Sequence, residues 1–273
     1  LHPETPWETD GAPVACPKSG GVWFDEEDKK FKMWYEATWL KNMCYAESAD
    51  GINWVRPKLD DDGTNIILKY DGFVLDKFKG GDPNYLRPDS TTVFIDYDCP
   101  KDEKYKLFLR NPGAELPGIV AVSADGINFR DFRLTGNMFD RSTIFYNPFR
   151  KKWVYSIRAA DVQPDGSWLR YRRYRECTDY LEGAAWSDAD ARPWLYCDAL
   201  DLPHPYIGFT PQLYNVDCVG YESLILGMFQ IMYGPENGVC ERYGVPKITE
   251  LIPMYSRDGY HFSRPCRESL IHA

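Results

Sequence analysis

Histidine is scarce: His2, His204, His261 and His272 are the only four in 273 residues, too few and too scattered to build a histidine-rich zinc centre. The eight cysteines form no CxxC pair and are too sparse for a disulfide scaffold, so most are expected to be small buried apolar side chains. Basic residues are in deficit, 32 Lys and Arg against 41 Asp and Glu, and the formal charge of -9 argues against a nucleic acid or an anionic membrane as partner. No apolar run approaches the roughly 18 residues of a membrane span; the longest, around Ser223 to Tyr233, stops well short. A convincing helical period is also missing, as is a basic segment followed by an apolar one of the kind that directs export. What the chain has in excess is aromatic side chains: 9 Trp, 19 Tyr and 14 Phe make up 15% of it.

Many of these aromatics fall in a repeat. Ser48-Ala49-Asp50-Gly51-Ile52-Asn53-Trp54 recurs as Ser123-Ala124-Asp125-Gly126-Ile127-Asn128-Phe129 and as Ser256-Arg257-Asp258-Gly259-Tyr260-His261-Phe262. The gap between the second and third copies is nearly twice the first, and a degenerate copy from Arg175 to Trp186 fills it. Short aromatic or β-branched runs precede each copy: Gly21 to Asp25, Phe31 to Glu36 and Met43 to Glu47 before the first, with counterparts before the others. They read as antiparallel strands closed by an Asp-Gly turn, in which glycine takes positive φ and the aspartate caps the backbone. In the last unit the runs are Pro211 to Tyr214, Tyr221 to Leu226 and Thr249 to Tyr255. Units of roughly 55 to 80 residues with three or four strands describe propeller blades, expected near 20–57, 89–133, 140–187 and 208–265 of one all-β domain. The competing architecture is a β-sandwich with coincidental Asp-Gly hairpins.

These hairpins, the inner runs Val22-Trp23-Phe24-Asp25 and Thr92-Val93-Phe94-Ile95-Asp96, Asp140-Arg141-Ser142-Thr143 and Tyr221-Glu222-Ser223 resemble the five-bladed β-propeller glycoside hydrolases. That group includes the invertase and fructanase-like and the arabinanase and β-xylosidase-like enzymes, of families 32 and 43. The resemblance implies hydrolysis of a furanoside or similar glycan terminus and a carbohydrate partner, with no cofactor; no loop motif supports a structural Ca2+. It also implies five blades where four are counted: the expectation is either a truncated product or a minimal closing blade supplied by residues 1–18 with the C-terminal tail.

Glycoside hydrolysis needs two carboxyl groups, one to protonate the leaving oxygen and one as nucleophile or base. In a propeller they belong where the innermost strands line the funnel. Asp89 before the second unit's first strand, Asp140 before the third's, and Glu222 in the fourth fit that place. By the resemblance the two aspartates take the base and orienting roles and Glu222 the proton donor, while the first unit offers Asp10 or Asp25 as a base. Arg141 and Arg158, the latter ending an apolar run, could hold sugar hydroxyls or a carboxylate in a bidentate grip. Asp217 neighbours Glu222, and Trp7, Trp39 and Tyr85 lie between strands where a ring could stack on a sugar. The alternatives are a noncatalytic carbohydrate-binding propeller, an inactive fragment, or a phosphorylase on the same fold.

Overall fold

A computed structural model describes residues 1–69, 89–110, 116–164 and 166–272. Aromatic and β-branched runs pair there as four antiparallel meanders. The first sheet takes β1 (Ala15–Asp25), β2 (Lys30–Ala37), β3 (Asn42–Ser48) and β4 (Ile66–Lys69) in that order; the second takes β5 (Asp89–Ile95), β6 (Tyr105–Arg110), β7 (Leu116–Ser123) and β8 (Arg130–Met138). The third runs β9 (Thr143–Asn147), β10 (Lys152–Val162), β11 (Trp168–Cys177), β12 (Arg192–Leu195), and the fourth β13 (Gln212–Tyr221), β14 (Leu224–Gly234), β15 (Ile248–Ser256). Each sheet is a blade, and the chain is an all-β protein of the propeller type. The helices among the described residues are short, α1 (Pro6–Thr9) and α2 (Asn237–Tyr243), and none is long and apolar enough to cross a membrane.

The chain forms two compact units, one of Leu1–Asp140 with Tyr180–Trp186, the other of Arg141–Asp179 with Ser187–Ala273. In the first unit the innermost strands β1 and β5 run side by side. The Trp23 and Phe94 rings meet at 5.8 Å, and at the far ends of both strands a buried knot joins Asp25 to Lys32 at 2.9 Å and to Lys104 at 2.9 Å. Gly126, at φ +77°, brings the second Asp-Gly hairpin against the first blade, where the Trp34 indole N–H donates to the Gly126 carbonyl at 2.7 Å.

In the second unit β9 and β13 lie side by side. The Thr143 hydroxyl donates to the Val216 carbonyl at 2.6 Å near their beginnings, and Gly220 abuts Pro148 at their ends. The third Asp-Gly hairpin docks on β9, with the Asn147 amide donating to the Asp258 carbonyl at 2.8 Å. Its Phe262 ring meets Trp194 edge-on at 5.8 Å, so the hairpin aromatic packs between sheets.

Several expectations are corrected. β13 runs through Tyr221, so the second strand of the last blade is Leu224–Gly234 and Tyr221 to Leu226 spans the hairpin instead. β10 continues four residues beyond Arg158 to Val162. Residues 1–18 add no closing strand: Pro6–Thr9 is helical and β1 belongs to the first sheet, while the tail contributes one bridge, Ile271 to Leu251. Of the cysteines, Cys44 and Cys177 are buried and Cys16 and Cys266 exposed, the other four lying between.

Candidate functional site

The first-strand ends of the second blade gather charge. Asp89 opens β5, and a register shift between Asp89 and Thr92, with Ser90 at φ +51°, turns the backbone there. Such a bulge re-aims the side chain beside it. The Asp89 carboxylate receives the Nη1–H of Arg110 at 2.6 Å; that guanidinium is fully buried at the end of β6, directly across the ladder. Burial pulls the Arg110 pKa down, and the charges of Asp89 and of Asp140 oppose that pull. Asp140 follows β8, which ends beside the start of β7, so both sequence-derived aspartates act on one guanidinium. Arg110 escaped the sequence reading, although Tyr105-Lys106-Leu107-Phe108-Leu109-Arg110 has the same form as the run ending in Arg158, an apolar strand closed by a cation.

The corresponding end of the first blade is built differently. Glu36, buried on β2, receives the Leu40 N–H and has the Lys18 ammonium 2.9 Å from its carboxylate. The same ammonium stands 4.6 Å above the ring of Trp39, an exposed residue of the β2–β3 turn. Trp7 and Asp10 line an open cavity of about 490 Å³ with Pro6, Thr9, Thr38, Lys41 and Asn42. Trp7 is anchored by its indole N–H on the Asn65 side-chain carbonyl at 2.7 Å. Lys41 hydrogen-bonds Asp10 at 2.7 Å and holds that carboxyl below its usual pKa. Asp25, the other acid of this blade, is fully buried in its knot with Lys32 and Lys104 at the opposite end of β1, which makes it a structural group.

In the second unit Arg141, at φ +62°, stands 5.3 Å over the Tyr214 ring. Arg158 lies within β10, its backbone N–H donating to the Ser142 hydroxyl at 3.0 Å. Asp217 lies on β13 and accepts the Asn215 amide at 2.8 Å. Glu222 is placed elsewhere than expected. It is an exposed residue at φ +50° on the two-residue turn joining β13 to β14. That turn is some eight residues beyond Tyr214, roughly 26 Å of extended strand, so Glu222 marks the Gly220–Pro148 end of β13 and Arg141 the other. The reason is local: β13 continues through the polar Asn215 and Asp217 without a break, which carries Glu222 past the start of the strand. Tyr85 lies outside the described residues. Among the described residues no group of three or more His, Cys, Asp or Glu is placed to hold a metal ion.

No protein-family model and no curated protein matches the sequence. Solved structures do. A thermostable family-43 glycoside hydrolase superposes with a TM-score of 0.58 at 10% identity, over 97% of this chain and 77% of its own. An α-L-arabinofuranosidase from Clostridium thermocellum gives 0.54 at 12% identity, over 93% and 72%. A β-fructofuranosidase from Schwanniomyces occidentalis, complexed with fructosyl-erythritol, gives 0.54 at 11% identity, over 98% and 48%. The chain has the fold of these propeller glycoside hydrolases; at such identities the likeness concerns the fold alone.

Proposed function

We propose that the protein is a glycoside hydrolase acting on a furanoside or similar glycan terminus, with Asp89 and Asp140 as its carboxyl pair. The observation that carries the reading is Arg110: one fully buried guanidinium on which the charges of both aspartates act, at the end of the blade where its innermost strand begins. Arg110 orients Asp89, placing it to act as nucleophile or as base on water, and Asp140 is the second carboxyl that the chemistry requires. Glu222 has no part in this scheme, because its turn closes the other end of β13.

The test is sugar release from a panel of aryl furanosides and oligosaccharides. Asp89→Asn and Asp140→Asn are each expected to lower kcat by roughly 10² to 10⁴, with far-ultraviolet circular dichroism unchanged, whereas Glu222→Gln retains wild-type turnover. A wild type that cleaves nothing, fully active aspartate variants, or an inactive Glu222→Gln each overturn the assignment.

A second reading, a carbohydrate-binding propeller without turnover, is favoured by the direct Asp89–Arg110 ion pair, which on its own is also a structural device. It is distinguished by oligosaccharide binding without release of sugar.

A further inference from the structure

We propose that Arg141, Arg170 and Lys247, gathered around the Tyr214 ring, form a binding site for an oxyanion carried on a sugar, the carboxylate of a uronic acid or a sulfate ester. This deepens the glycosidase reading by naming the substrate class, and it rests on that reading only for the sugar. The Arg141 and Arg170 guanidinium carbons each stand 5.3 Å from the Tyr214 ring centre, and the Lys247 ammonium stands 4.9 Å from it. The four residues come from separate places: Arg141 before β9, Arg170 on β11, Tyr214 at the start of β13 and Lys247 before β15. In a chain of charge -9 this is a concentration of positive charge against the overall balance.

Cations packed around one ring repel one another unless an anion joins them. Among the described residues neither Arg141 nor Arg170 stands in an ion pair, and Lys247 donates to the neutral Asn237 side chain. The phenol registers the field: burial pushes the Tyr214 pKa up, yet Arg141, Lys247 and Arg170 together bring it below the ordinary tyrosine value. The arrangement is also held in place from beneath. Arg172, fully buried on β11, donates through Nη1 to the Arg141 carbonyl at 2.6 Å and through Nη2 to the Tyr214 carbonyl and, at 3.2 Å, to the Asn215 side chain. One buried fork thus fixes the backbone of two members, the kind of support that preorganises a binding site. Guanidinium forks match the paired oxygens of carboxylate and sulfate.

The test is calorimetric titration of the full chain with an oligogalacturonide, a sulfated galactan oligosaccharide, a neutral arabino-oligosaccharide of equal length, and inorganic phosphate. An acidic oligosaccharide is expected to bind roughly tenfold or more tighter than the neutral one, with a preference that shrinks as salt is raised. Arg170→Gln combined with Lys247→Gln should abolish that preference, and Lys247→Gln alone should reduce it should the double variant fold poorly. Which acidic oligosaccharide binds identifies carboxylate or sulfate. Equal binding of acidic and neutral sugars, a preference retained in the variants, or binding of phosphate with no oligosaccharide bound overturns the inference. Acidic sugars bound but not cleaved sustain it while the hydrolase reading fails, and neutral sugars cleaved without acidic preference do the reverse.

Discussion

Two glycines with nearly the same φ separate conformational strain from packing. Gly126 at φ +77° and Gly11 at φ +76° both lie in the left-handed region, where a β-carbon is disfavoured. A β-carbon on Gly11 meets no atom within 4 Å, whereas one on Gly126 would stand 2.7 Å from Trp34 Cζ2 and 3.0 Å from the Tyr105 ring. Both rings are nearly fully buried and pack against each other, tilted at 54° with centroids 5.7 Å apart, so neither can yield. Gly11→Ala is expected to cost about 1 kcal/mol, the conformational penalty alone. Gly126→Ala adds overpacking of about 1–3 kcal/mol. Urea denaturation of the two variants side by side checks this; equal losses would show that the hairpin does not press on Trp34 as described.

The hairpin itself is a capping device, identical in all three copies. In the second, the Ser123 hydroxyl accepts the Gly126 N–H at 3.0 Å and donates to Asp125 at 2.8 Å, while Asp125 Oδ1 accepts the N–H groups of Ile127 and Asn128, both at 2.8 Å. Although burial alone would raise it, these bonds lower the Asp125 carboxyl from 3.8 to about 2. A group whose native pKa is depressed stabilises the fold above its unfolded value and loses that contribution as pH falls through the native one. Asp125→Asn should therefore weaken the protein at neutral pH and flatten its loss of stability between about pH 4 and pH 2. Urea midpoints measured across that range decide it, and an unchanged acid limb would remove Asp125 from the account. The same chemistry explains what was legible beforehand: Asp-Gly with an aromatic three residues on announces a hairpin wherever it stands, here beside the first, second and fourth sheets. The fourth blade was misdivided because its first hairpin turns through Glu222 and Ser223, with no glycine, proline or asparagine to mark it. Asp89 and Asp140 were legible as acids ahead of apolar strands, but Arg110 and Tyr214 read as ordinary strand residues, since only the pairing of distant strands shows what they face.

Over the whole molecule, the chain passes between its two compact units three times, after Asp140, Asp179 and Trp186. The segment Tyr180–Trp186 completes the first unit although it follows the third blade's strands. The Tyr180 hydroxyl donates to the Leu107 carbonyl at 2.6 Å, and Trp186, 9% exposed, covers Gly136 so closely that a β-carbon there would stand 2.2 Å from its ring. No single cut leaves both units whole, because the strands leading into this segment belong to the second unit and the groove it fills belongs to the first. Chains of two independent units usually unfold in separate steps. The three crossings tie the first unit's Trp186 contact to the strands of the second through the chain itself, so calorimetry is expected to record one transition. Trp186→Ala removes a large buried ring, at a cost of about 3–5 kcal/mol, and should lower that one transition as a whole. Two resolved peaks in the wild type, or a variant in which only part of the heat absorption moves, would mean that the segment is a local patch and that the units fold independently.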